Sequence, residues 1–176
     1  MSHQDTAVAL ARSQFQAAYM GWLEGTMQGV TAEQATWRPD GRSAPIGAQY
    51  AHAVAAVDFL LLGLAAGRPP LAMTTFAGAT GLNEPHPTGD WGEWAQRVQV
   101  DLGALHAYAL ASYAAADEYL GSLHDDDLAE VKDFSAAGFG EQSLGAFVTT
   151  IILHATAHSG EIAVLKGLQD LKGYPF

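Results

Sequence analysis

LGAFVTTIILHATAHSGEIAVLKGL, residues 144–168, is the stretch on which the fold turns. Steps of three and four through it pick out Leu144, Phe147, Ile151, His154, His158, Glu161, Leu165 and Leu168, the inward stripe of a bundle helix interrupted by two histidines and a glutamate. At about 100° per residue, His158 lies roughly 40° around the helix from His154, and Glu161 falls roughly 20° to its other side. All three side chains are therefore expected to point toward the core. Burying them without partners would cost several kcal/mol. A divalent metal held by two imidazoles one turn apart satisfies them together; a hydrogen bond from each histidine to a backbone carbonyl or a facing side chain is the alternative.

Working outward, three more long helical patterns appear, and no segment shows the sustained alternation that strands require. The first runs from about Thr6 to Met27, with Val8, Ala11, Phe15, Ala18 and Trp22 on one stripe, and stops at Gly29. Thr31-Ala-Glu-Gln34 has the form of a capping box for a short helix that Pro39 and Gly41 end. The second long helix starts near Pro45 and reaches about Ala66, apolar nearly all round and so central to the bundle. His52 sits in it between Ala48 and Ala55, where it can supply the third metal ligand from a different helix. Arg68 to Asp90, rich in proline and glycine, reads as a long crossover or a lid. The third helix is expected from a cap at Asp90-Trp-Gly-Glu93 to about Leu123, with Trp94, Val98, Leu102, Leu105, Ala109 and Ala116 inward. In the link from His124 to Gln142 the run Asp125-Asp126-Asp127 lacks calcium-loop spacing and reads as a solvated helix boundary. The fold class is thus all-α, a four-helix bundle with a long crossover between the second and third helices, and residues 1–176 are expected to form a single domain.

Bulk properties narrow the chemistry. Nineteen acidic against eight basic residues give a formal charge of −11, which argues against nucleic acid and anionic membrane surfaces as partners. With no cysteine, any metal must be held by histidine and carboxylate. Met1 to Gln14 lacks the basic start and apolar run of a signal peptide. The apolar stretches Ala53 to Ala66 and Leu144 to Leu153 are read as too short, or broken by Asp58 and His154, to span a bilayer. A cytoplasmic location is expected.

With His52 on the second helix and His154-Ala-Thr-Ala-His158-Ser-Gly-Glu161 on the fourth, the chain resembles the DinB-like superfamily, four-helix bundles in which three histidines hold a divalent metal. The resemblance covers nearly the whole chain. It extends to the connector from Gly29-Val-Thr-Ala-Glu33 to Trp37-Arg-Pro39 and to the closing segment from Leu165-Lys-Gly-Leu168 to Gly173-Tyr-Pro-Phe176. It implies that His52, His154 and His158 are the metal ligands. Many relatives carry a basic residue after the last histidine and a glutamine where this chain has Ser159 and Glu161, so Glu161 becomes a fourth ligand, an orienting partner or a general base.

Three histidines leave a coordination position open, the arrangement of a catalytic site. An ion there, zinc or nickel, brings a bound water to a pKa of about 7 or holds a thiol as thiolate. Members of the superfamily include thiol S-transferases that use bacillithiol or mycothiol, and a thiol-dependent maleylpyruvate isomerase. The resemblance therefore implies a metal-dependent enzyme on a small molecule, S-transferase-like with a low-molecular-weight thiol, or a hydrolase; the alternative is a non-catalytic, metal-stabilised binding bundle. Trp22, Phe59 and Tyr108 are candidate pocket walls, and Arg38, Arg42, Arg68 and Arg97 are candidate partners for a carboxylate-bearing thiol. His86, His106 and His124 show no partner pattern. A homodimer is expected, because similar proteins are often dimeric and because Tyr19 and Leu23 lie beside the main stripe of the first helix.

Overall fold

Residues 5–176 are described by the computed structural model; residues 1–4, the start of the stretch examined for a signal peptide, lie outside them. Helix α1 runs over Thr6–Gln16 and continues without a break through a π-helical stretch, Ala17–Leu23, and a last turn, Glu24–Met27. Gly29, at φ +75°, then reverses the chain. The box over α2 (Ala32–Thr36) forms as its sequence predicts, with the Thr31 hydroxyl accepting from Gln34 N at 3.3 Å and the Gln34 side chain accepting from Thr31 N at 2.9 Å.

Helix α3 spans Ile46–Ala55 and passes into a second π-helical stretch, Ala56–Ala65. The wider turn shows in the bond from Ala66 N to the Leu61 carbonyl, five residues back. It also shifts the stripes. Phe59 is only half-buried, while Asp58, one residue before it, is fully buried. The Asp58 carboxylate accepts from Leu71 N at 2.7 Å, Ala72 N at 2.9 Å and the Tyr108 hydroxyl at 2.7 Å. A buried charge with three donors is satisfied, and here it fastens the start of the 68–90 segment to the bundle.

The third pattern divides in two, which corrects the single helix expected from Asp90. A short helix α4 (Gly92–Arg97) is followed by extended chain and then by α5 (Leu102–Gly121). The cause is a better cap downstream: the Asp101 carboxylate accepts from Gly103 N and Ala104 N at 2.9 and 3.0 Å. The intervening residues pair with the 68–90 segment, through a bridge between Leu82 and Val100 and a bond from Asp101 N to the Gly81 carbonyl. Gly81 is obligatory there, since it has φ +82° and a Cβ would stand 2.5 Å from Leu105 N.

The triple aspartate opens a short helix α6 (Asp125–Ala129) and does capping work: Asp127 accepts from His124 N at 2.6 Å, and Asp125 accepts from Val8 N in the first turn of α1 at 2.9 Å. A small antiparallel hairpin follows, β1 (Val131–Asp133) against β2 (Glu141–Ser143), its strands too short for alternation to register in the sequence. Helix α7 (Leu144–Gly167) closes the bundle, capped by Ser143.

The core joins Phe15, Tyr19 and Leu23 of α1 to Ile46, Val54 and Leu61 of the central helix, Leu105 and Tyr113 of α5, and Phe147, Ile151 and Ile162 of α7. Each such apolar side chain contributes about 1.5–3 kcal/mol by burial. Two expectations fail here. Tyr19 and Leu23 are fully buried inside one copy, so they expose nothing for a dimer to cover; Leu168 is exposed rather than inward. Two helical runs, Ile46–Ala65 and Leu144–Gly167, are long and apolar enough to cross a membrane, because neither Asp58 nor His154 interrupts its helix. Within the bundle, 72% of the apolar window of the first and 39% of the second are buried, so packing accounts for much of their apolarity.

Candidate metal centre

His52 comes from the middle of α3, and His154 and His158 from successive turns of α7. The pairing of these two helices brings the three rings together. His154 Nε2 lies 3.0 Å from His52 Nε2 and 3.1 Å from His158 Nε2, and the three potential ligand atoms all lie within 4.8 Å of one another. The donor set fits a divalent ion. Nitrogens held 2.0–2.1 Å from a tetrahedral ion stand about 3.3 Å apart, close to the separations seen here.

Outside partners fix how two of the rings face. His158 Nδ1 is 2.6 Å from Gln49 Oε1 and 2.7 Å from Glu161 Oε2, both acceptors, so Nδ1 carries the hydrogen and Nε2 turns its lone pair inward. His52 Nδ1 lies 2.6 Å from His86 Nε2, and the Trp91 indole stacks flat on the His52 ring at 4.1 Å and 5°. His154 Nδ1 is buried without a partner among the described residues. The Nε2 atoms of His52 and His158 both face His154 Nε2, which can donate at most a single hydrogen between them. A cation answers that arrangement better than one proton.

Burial holds all three imidazoles neutral. It lowers His52 to about 2, helped by its histidine neighbours, His154 to about 3 and His158 to about 4, from an ordinary 6.5. The lone pairs are then free at neutral pH. Burial raises the Glu161 carboxyl, which nevertheless keeps a half-exposed side chain at the rim of the site. Glu161 is thus not a core residue, and its carboxylate meets His158 on the side away from the three Nε2 atoms.

A cavity of about 650 Å³ adjoins the cluster, lined among others by Arg42, Gln49, Asp90, Trp91, Glu161 and Leu165. Of the four candidate arginines, Arg42 is the one on this wall; Arg97 pairs with Glu84 at 3.0 Å, Arg68 sits 5.8 Å over the Tyr119 ring, and Arg38 is exposed. The expected aromatic walls do not line this cavity. Trp22 packs edge-on against Tyr174 and Phe176, while Phe59 and Tyr108 line a second cavity of about 240 Å³ beneath the 68–90 segment, which His86 also lines.

Three contributors to the site escape the sequence reading: Trp91, which the sequence offers only as part of a helix cap, Gln49 and His86. Gln49 is a buried amide in an otherwise apolar run, three residues before His52, and that isolation was its signal. His86 lies on a proline-rich connector, where no periodicity ties it to a helix face. His106 and His124 also have partners, Glu24 Oε2 at 3.0 Å and Asp5 Oδ2 at 3.1 Å, both away from the cluster.

Comparison with known proteins settles the relationship. The family model described as the DinB superfamily matches residues 14–162. The chain belongs to the DinB superfamily. That match includes the positions of His52, His154 and His158 and runs from within the first long helix to within the last. Among solved structures, the DinB fold recurs in a conserved protein from Enterococcus faecalis, with a TM-score of 0.74 and 22% identity over 89% of this chain and 93% of that one. At that identity the likeness establishes fold alone. No curated protein matches the chain.

Proposed function

We propose that the chain binds one divalent ion, zinc or nickel, through His52, His154 and His158, and that the centre serves a metal-dependent reaction on a small molecule. The observation that carries this reading is the convergence of three neutral imidazoles whose Nε2 atoms lie 3.0 and 3.1 Å apart, two of them aimed by partners on their far sides. Zinc and nickel both accept imidazole. The ion supplies Lewis acidity, enough to make a nucleophile of water or of a thiol at neutral pH.

The protein's own groups divide the remaining work. Gln49 and Glu161 hold His158 by Nδ1, and Trp91 covers the face of His52 and excludes water from it. Glu161 serves as an orienting partner rather than a fourth ligand, since its near oxygen is 2.7 Å from Nδ1 on the far side of the ring. Arg42 offers a guanidinium on the cavity wall for a carboxylate-bearing thiol. Because the chain has no cysteine, a sulfur nucleophile must come from a low-molecular-weight thiol. A thiol S-transferase-like reaction is the favoured class, with hydrolysis second.

The test is turnover. Protein stripped with a chelator and protein reloaded with zinc or nickel are offered a panel of thiols with electrophiles, and hydrolysable esters and amides without thiol. Turnover that appears on reloading and requires thiol supports the transferase reading, and thiol-independent turnover supports the hydrolase. Tight metal binding with no turnover across both panels would favour a metal-stabilised binding bundle.

A further inference from the structure

The 68–90 segment is fastened on both sides of His86. Upstream, Asp58 takes the N–H groups of Leu71 and Ala72; downstream, Gly81 and Leu82 pair with the chain before α5, Asn83 Oδ1 accepts from Gln99 N at 2.7 Å, and Glu84 pairs with Arg97, which brings the anchoring to within two residues of His86. The sequence around His86 is Pro85-His86-Pro87. Proline fixes its own φ and confines the residue before it to extended backbone, so little conformational entropy remains for His86 to lose. The ring is braced edge-on against Trp94 at 4.8 Å, and its Nε2 lies 2.6 Å from His52 Nδ1.

A contact that short between two imidazole nitrogens has one hydrogen between them. Which ring owns it follows from the metal-site reading of His52. An ion held by His52 Nε2 needs that nitrogen's lone pair, which places the ring's own hydrogen on Nδ1. Across the 2.6 Å contact His52 Nδ1 is therefore the donor and Nε2 of His86 the acceptor. His52 Nε2 is then bare on the side where His154 stands.

We propose that His86 is a positioning residue for the metal centre: it locks His52 in the Nδ1–H tautomer, with Nε2 presented to the ion, and so ties the order of the 68–90 strap to the geometry of the site. The inference rests on the metal-site reading given above. It assigns a histidine where such a ring more often meets a carboxylate or a backbone carbonyl. It also makes the crossover part of the site, since displacing the strap removes the acceptor that orients one ligand.

Two measurements on His86→Ala and His86→Gln test it, with thermal unfolding of each variant as the control for folding. In metal-stripped, ¹⁵N-labelled protein, long-range ¹H–¹⁵N correlation spectra report which nitrogen of His52 carries the hydrogen. The wild type should show Nδ1–H; His86→Ala should lose that preference, and His86→Gln, whose amide oxygen still accepts, should keep it. Zinc affinity measured by chelator competition should fall about 10–100-fold in His86→Ala and be largely restored in His86→Gln. If either His52 stays Nδ1–H in a folded His86→Ala protein, or that variant binds zinc within twofold of the wild type, the proposal is overturned. A wild type that binds no zinc would instead overturn the metal-site reading, and the tautomer result, obtained without metal, would still decide whether His86 orients His52.

Discussion

Glu161 is the residue on which the chemistry of the site divides. Its oxygen 2.7 Å from His158 Nδ1 shares that hydrogen with Gln49, so the ring keeps an acceptor when the charge is removed. Glu161→Gln should retain the ion with affinity lowered about 10–100-fold, the usual cost of losing an orienting partner; chelator competition reads this directly, and complete loss of metal would make Glu161 a ligand and close the site. The role of this side chain was open in the sequence because its position on the stripe gives direction but not reach. His154 and His158 were legible for the opposite reason. Two imidazoles four residues apart on a helix are placed by the helix alone, and His52 followed once a second apolar helix was seen to carry a lone polar ring. His86 was invisible, since its place is set by prolines, a buried aspartate and a two-residue bridge far apart in sequence.

At the scale of elements, the helices and their order follow from patterning, and the departures come from local hydrogen bonds that override it. Asp101 with two backbone donors ends the expected continuity of the third helix, and the π-helical turn after Ala55 rotates Asp58 inward and Phe59 outward. Asp58 anchors the strap to two helices at once. Asp58→Ala would strand two N–H groups and the Tyr108 hydroxyl, at a cost on the order of 3 kcal/mol. Urea unfolding should show that loss in the midpoint, and hydrogen exchange should show Leu71 and Ala72 N–H losing protection before α5 does. A midpoint unchanged from the wild type would mean that the strap is held without Asp58.

For the whole molecule, three buried neutral histidines make the metal-free protein sensitive to acid. Their folded-state values, about 2, 3 and 4, lie below the ordinary 6.5, so as pH falls from about 6.5 toward 4 the unfolded chain takes up protons that the folded chain refuses, and stability declines. The melting temperature of stripped protein should therefore drop through that window. His154→Ala/His158→Ala should flatten the decline. We propose that two chains pair, through a surface other than Tyr19 and Leu23; Leu10 and Met20 of the first helix and Leu153 and Val164 of α7 are exposed apolar side chains. Light scattering at micromolar concentration should give about twice 18.5 kDa, and a value near 18.5 kDa itself would leave those side chains to solvent. The claim on which the rest depends is that the three histidines hold an ion. Elemental analysis of protein purified without an immobilised-metal column should find close to one zinc or nickel per chain in the wild type and none in His154→Ala/His158→Ala; metal retained by that double variant, or a wild type that stays empty when offered either ion, would contradict it.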